Sequence, residues 1–347
     1  MPGTFSLAHL EVKYEASGVE DPETGVQLDR LTTPLTFVDQ NDVEWTAPAG
    51  TLTDGASIPD WALSITGRPN KSAIFRAAIV HDAYCQASSK ASDQLYSRPW
   101  KATHQMFYDG CVACGASPSQ AAMWWAAVRL GGPKWTGDGR LLESSLGDVA
   151  FTALDLIKEI IAAEQDAVSP AEIDSQIGDW EQIATTVHEH ESDADSSLEE
   201  GNFEAAEDSI ATATEMLESA RGRDPRSEPV LAAVEGYVQT RYAQRLQAKK
   251  KYEEATAVLD KAERSFQRVQ QMKPTKDPSV LRGLGTVEFV RADLDQIQGN
   301  KAAGLRKLEK AEALMQDALR TAPKYQPARK DLRGVTTLRN RIERGGP

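Results

Sequence analysis

RAAIVHDAYC, residues 76–85, is the stretch on which the reading of this chain turns. Ile74, Ala77, Ala78, His81 and Cys85 recur at helical spacing on one side. Phe75, Ile79, Asp82 and Gln86 form a second stripe about 100° round the same helix. Both stripes are apolar above the His81–Asp82 pair, so the spacing predicts a helix buried on much of its circumference. An unpaired charge in such a place is prohibitively costly. The pair therefore needs partners, and it is either a functional site or a structural lock.

Working outward, residues 1–60 alternate like short strands. PLTFVDQNDVEWTAPAG reads as a hairpin, with Phe37 and Val38 on one arm, a polar turn at Gln40–Asp42, and Val43 and Trp45 on the other. From Ser72, a candidate helix cap, the period becomes helical. Pro99 starts a second helix through Trp100, His104, Phe107 and Cys111, and Ser117-Pro118 opens a third. The Gly-rich run from Gly131 to Arg140 reads as the exit from this domain. Residues 1–140 are thus predicted to be a small α+β domain, short strands followed by a helical bundle.

Beyond it almost everything reads as helix. Residues 141–200 form an acidic helical connector. In residues 201–347, NFEAAEDSI from Asn202, KYEEATAVL from Lys251 and NKAAGLRKL from Asn300 align at a spacing of 49 residues. Pro225, Pro274 and Pro323 fall in register. So do Pro229, Pro278 and Pro327, and so do Gly236, Gly285 and Gly334. Each unit reads as two helices around a Pro-punctuated turn. Such hairpins cannot bury their faces alone, which predicts an all-α helical-repeat solenoid.

The net charge of -13 is segregated. Residues 1–140 carry -4, residues 141–220 carry -20 and residues 221–347 carry +11. This pattern predicts self-association of the acidic and basic segments, within or between chains. A nucleic-acid partner is disfavoured, because aromatic and basic residues are not interleaved. The sequence has no apolar run of the roughly 20 residues a membrane helix needs and no signal-peptide pattern at its start. Its three cysteines, Cys85, Cys111 and Cys114, are an odd set. The expected setting is reducing and cytoplasmic. Neither a Gly-rich phosphate loop nor a serine nucleophile elbow is present.

Candidate site residues cluster around the His-Asp pair. TDGASIPD, residues 53–60, is a polar turn ahead of the helix, offering the Asp54 carboxylate and close backbone approach at Gly55. Exposed carbonyls and carboxylates suit a hard cation such as Ca²⁺. His104 shares a face with Trp100, Phe107, Tyr108 and Cys111, which turns it inward. His81, Cys85, His104 and Asp82 also make a possible transition-metal set. Cys111 and Cys114 have the spacing of a redox or metal pair, although they sit within a helix face that reads as core. HEHESDAD, around His188 and His190, reads as a solvated acidic face.

These motifs carry resemblances. TAPAGTLTDGASIP, AAIVHDAY, Ser97-Arg98 and AAVRLGG, between about Pro34 and Trp135, resemble domain of unknown function 1353, a phage- and prophage-associated family. That family often has Asp where this chain has His104. DGASIPD followed by HDAY is also similar to prokaryotic phospholipase A2. That likeness implies His81 as the water-activating base, Asp82 and Asp54 as Ca²⁺ ligands, and Tyr84 in support. The phospholipase family orients its His with a later Asp, a role His104 or Tyr108 would have to fill here, and its disulfides are missing. The repeats resemble tetratricopeptide repeats with lengthened helices, which implies a protein partner. Two functions follow: a cation-assisted ester hydrolase fused to a partner-binding solenoid, or a non-catalytic assembly module in which His81–Asp82 is structural.

Overall fold

The structure is a computed structural model that describes residues 3–5, 12–20, 27–55, 58–67, 71–85, 93–164, 169–273, 276–323 and 325–344. The chain forms two compact units. One comprises residues 1–144 and 157–175, the other residues 145–156 and 176–347.

The first unit begins with short antiparallel strands in two small sheets. Strands β1 (Thr4–Phe5), β4 (Leu35–Val38) and β5 (Glu44–Ala47) form one, in the order β1-β4-β5. Strands β2 (Tyr14–Glu20), β3 (Gln27–Leu31) and β6 (Leu52–Thr53) form the other. The expected hairpin is β4–β5, with Leu35 opposite Ala47 and Phe37 opposite Trp45. All four of these residues are buried, as the two-residue period of a half-buried strand requires. Its turn is held by one carboxylate. Asp39 accepts from the Asn41 and Val43 backbone N–H groups and from Trp45 Nε1, at 2.8, 3.0 and 3.0 Å.

Among the described residues, four α-helices follow: α1 (Leu63–Thr66), α2 (Lys71–Cys85), α3 (Trp100–Ala113) and α4 (Pro118–Gly131). Pro99 precedes α3. Ser117 caps α4, accepting from the Gln120 N–H, with Pro118 in its first turn. Helix α2 already starts at Lys71, so Ser72 lies inside its first turn; the Ser72 side chain and Gln86 lie outside what is described. Every residue from Ala77 to Cys85 is buried. The two-stripe expectation thus understates the enclosure, because strands cover one side of α2 and α3 covers another. Phe37, Trp45, Ile79, Val80, Ala83, Tyr84 and Met106 belong to one apolar core. Gly110 of α3 permits the close approach: a Cβ there would stand 2.9 Å from Ala77 Cβ. The Gly-rich exit forms a ribbon of β7 (Lys134–Trp135) and β8 (Leu141–Leu142).

Helices α5 (Ala150–Glu164) and α6 (Pro170–Glu199) each contribute residues to both units. The remainder is helical: α7 (Phe203–Arg223), α8 (Glu228–Ala248), α9 (Tyr252–Met272), α10 (Pro278–Ile297), α11 (Lys301–Thr321) and α12 (Gln326–Glu343). Helices α7, α9 and α11 are each 21 residues long and begin 49 residues apart. Each packs on the helix that follows it, and α8, α10 and α12 contact one another in sequence. Glycines permit this packing. A Cβ at Gly236 would stand 2.7 Å from the Phe266 ring. The equivalent contact recurs 49 residues on, where a Cβ at Gly285 would stand 3.1 Å from Met315 Cγ. Pro274 of the repeat register lies outside the described residues.

Within the second unit the acidic and basic stretches meet. Arg241 donates to Asp148 and to both oxygens of Glu191, and Arg245 also reaches Glu191. Arg282 joins Asp148 to Asp331, and Lys273 pairs with Asp155. The reading of HEHESDAD as a solvated face holds only in part: Glu189, Ser192 and Asp193 are exposed. Glu191 of that stretch is buried and fully engaged with arginines, and His188 lies 3.1 Å from Arg241 Nη2. Hydrophilic composition alone could not distinguish a face turned to water from one turned to Arg241 and Arg245. Among the described residues no helix is long and apolar enough to cross a membrane.

Candidate functional site

Helix α2 places His81, Asp82, Tyr84 and Cys85; α3 places His104; β6 places Thr53, with Asp54 directly after it. His81 and Cys85 are one helical turn apart and share a face. His81 Nε2 lies 2.8 Å from His104 Nδ1, and Cys85 Sγ lies 3.3 Å from His81 Nδ1. Asp82 Oδ1 is 4.0 Å from that same Nδ1. The other oxygen, Oδ2, accepts from Thr53 Oγ1 at 2.6 Å, and Thr53 Oγ1 in turn accepts from the Gly55 N–H at 2.9 Å. Aromatic rings wall the pair: Phe107 against His81, and Trp100 and Trp135 against His104.

The cluster is interior. His81 is 2% exposed, Asp82 3% and His104 0%. Burial drives the His81 pKa down to about 3, so its ring is neutral at physiological pH. Burial likewise holds His104 well below the usual imidazole range. His81, Arg129 and Lys134 push it the same way, against the Pro133 carbonyl. Burial raises the Cys85 thiol well above its ordinary value, and the nearby Asp82 and Asp54 carboxylates add to this. Arg129, itself buried, is held by Asp174 at 2.6 Å and lies over the Trp100 ring. That arrangement fixes the wall behind His104.

The predicted site residues separate into two groups. His81, Asp82 and His104 come together. Tyr84 turns away: its hydroxyl accepts from the Thr46 N–H at 3.1 Å and its ring packs edge-on against Trp45. Asp54 is exposed. It stands outside the trio His81, Asp82 and Cys85, whose ligand atoms all lie within 4.8 Å of one another. Gly55, at φ 71°, carries the chain past Phe75, whose ring would stand 2.7 Å from a Cβ. Cys111 is buried among core residues and Cys114 is half-buried beside it; both thiols are free. Thr53 is the neighbour of Asp82 that sequence reasoning passed over. Its signal was adjacency to Asp54 on a two-residue strand, too short for the strand period to say which side chain faces α2.

Comparison with known proteins places the cluster's residues within one matched span. Residues 30–128 match a family described as protein of unknown function (DUF1353), a span that includes Thr53, His81, Asp82, Cys85 and His104. The chain is 30% identical over 248 residues to the uncharacterized protein y4jT of Sinorhizobium fredii, covering 67% of each protein. It is 38% identical over 99 residues to the uncharacterized protein y4iH of the same organism, covering 28% of this chain and 38% of that relative. The chain belongs to the family of y4jT, and that similarity runs beyond the 1353 domain. No solved structure matches.

Proposed function

We propose that this protein is a non-catalytic assembly module. In this reading, the His81–Asp82 pair fixes the packing of the first unit, and the helical hairpins of the second unit stack as a tetratricopeptide-like solenoid that docks a protein partner. The observation that carries the reading is the enclosure of the pair. His81 and Asp82 are 2% and 3% exposed, and their polar atoms are engaged by His104, Cys85 and Thr53. A hydrolytic base has to reach a water and a substrate carbonyl. Here the two ring nitrogens of His81 face His104 and Cys85 instead. The solenoid part draws support from the 49-residue recurrence of helix starts and of the Gly236–Phe266 and Gly285–Met315 contacts. A row of successively contacting helices such as α8, α10 and α12 is the way repeat hairpins bury a continuous core.

The competing reading is the cation-assisted ester hydrolase, with His81 as base and Asp82 and Asp54 on Ca²⁺. One experiment separates them. Fatty-acid release from mixed phospholipid vesicles is measured by mass spectrometry, with Ca²⁺ and with chelator, for wild type and His81→Ala, beside urea unfolding of both. The module reading expects no release and a loss of about 2–4 kcal/mol in stability from orphaning buried polar groups. Release that requires both Ca²⁺ and His81, with stability near wild type, would establish the hydrolase instead.

A further inference from the structure

We propose that His81 Nδ1, Cys85 Sγ and an Asp82 carboxylate oxygen bind a transition-metal dication of the Zn²⁺ class. The proposal rests on reading this cluster as a closed structural element of the first unit.

Convergence is the first argument. One ligand atom from each of the three buried residues lies within 4.8 Å of the others, and Sγ and Oδ1 stand 3.3 and 4.0 Å from Nδ1. Around a tetrahedral zinc, with bonds of about 2.0–2.3 Å, ligand atoms stand roughly 3.3–3.7 Å apart. The trio needs only small side-chain adjustments to reach that spacing.

Orientation is the second argument. Each of two ligands is aimed by the atom it does not offer. His81 Nε2 is engaged by His104 Nδ1 at 2.8 Å, which leaves Nδ1 facing Cys85. Asp82 Oδ2 accepts from Thr53 at 2.6 Å, and Oδ1 is the oxygen near His81 Nδ1. A ligating imidazole whose other nitrogen is hydrogen-bonded, beside a ligating carboxylate whose other oxygen is hydrogen-bonded, is the usual support of a zinc site. A purely structural hydrogen-bonded pair has no need for a thiol and a carboxylate oxygen to converge on one ring nitrogen.

Chemistry is the third argument. On binding, the Cys85 S–H bond breaks, its proton leaves to solvent and a sulfur–metal bond forms. The neutral imidazole and the ionised carboxylate donate lone pairs. The dication is then matched by one thiolate and one carboxylate, and the buried complex carries no net charge. One imidazole nitrogen, one sulfur and one oxygen suit zinc or cobalt. Ca²⁺ instead takes six to eight oxygens. A ligand set on buried residues binds its ion as the chain folds.

The test therefore refolds the full chain. Protein unfolded in denaturant with chelator is refolded with Co²⁺ in place of Zn²⁺. After gel filtration, metal content is measured by elemental analysis and thiolate-to-cobalt charge-transfer absorption in the near ultraviolet. Circular dichroism checks the fold. The expected result is one Co²⁺ per chain, with a charge-transfer band that disappears in Cys85→Ser and persists in the Cys111→Ser/Cys114→Ser double variant. X-ray absorption of the zinc-loaded wild type, which needs no variant, should show one sulfur neighbour. Folded wild type without the band, a band that survives Cys85→Ser, or zinc without a sulfur neighbour overturns the proposal. Absence of metal alongside a strongly destabilised His81→Ala would overturn the metal site alone. A His81→Ala chain as stable as wild type would overturn the structural reading beneath it.

Discussion

Thr53 supports the buried Asp82. Its hydroxyl donates to Asp82 Oδ2 at 2.6 Å while accepting from the Gly55 N–H, so one oxygen serves both groups. Thr53→Val keeps the shape and removes that oxygen. We expect a loss of about 1–3 kcal/mol in urea unfolding, with Thr53→Ser close to wild type. The imidazole gives a second prediction at this scale. His81 has its folded pKa lowered from 6.5 to about 3, so between those values the unfolded chain takes up a proton that the folded chain refuses. Stability from this group is complete above about pH 6.5 and is lost as pH falls toward 3. Asp109 and Asp277 act in the opposite direction, since burial pushes both carboxyls up to about 6. The difference between wild type and His81→Gln in unfolding free energy, measured across pH 3–7, isolates the imidazole. Wild type should lose more on acidification than the variant.

At the scale of elements, one repeat position carries opposite expectations in different helices. Gly236 of α8 faces the Phe266 ring, with 2.7 Å between a built Cβ and the nearest ring atom, whereas Gly334 of α12 has nothing within 4 Å of its Cβ. Gly236→Ala should cost about 1–3 kcal/mol through overpacking. Gly334→Ala should stabilise by up to about 1 kcal/mol, because helical glycine is entropically unfavourable and no neighbour objects. Thermal unfolding of the two variants side by side checks the pair. The register of these glycines was legible in the sequence as a 49-residue period. Their neighbours were not, since periodicity places a residue along a helix without saying whether another helix covers it. The same limit explains α2. Its apolar stripes announced burial, but the nine consecutive buried residues from Ala77 to Cys85 follow from strands and α3 packing on different sides.

Across the second unit as a whole, Arg241 ties distant stretches together through Asp148, Glu191 and His188. Breaking a buried ion pair costs about 3–5 kcal/mol. The Arg241 side chain is 28% exposed, which lowers the expectation for Arg241→Met to about 2 kcal/mol. Arg268→Ala, which removes a side chain 55% exposed from its pair with Glu228, should change stability by less than about 1 kcal/mol in the same unfolding assay.

Local and periodic features were legible in the order of residues: the β4–β5 hairpin, the helix starts at Pro99 and Ser117-Pro118, the 49-residue recurrence, and the inward turn of His81, Asp82 and His104. Apart from the recurrence, which is read by aligning the chain with itself, each rests on short-range steric and hydrophobic rules that act between residues close in the chain. Which groups meet was settled by packing. It set Thr53 on Asp82, Cys85 on His81 and Tyr84 against Thr46, left Asp54 exposed, and buried Glu191 under two arginines. Those outcomes depend on which elements pack together in space, and hydrogen-bond partners far apart in the chain leave no local trace of their pairing.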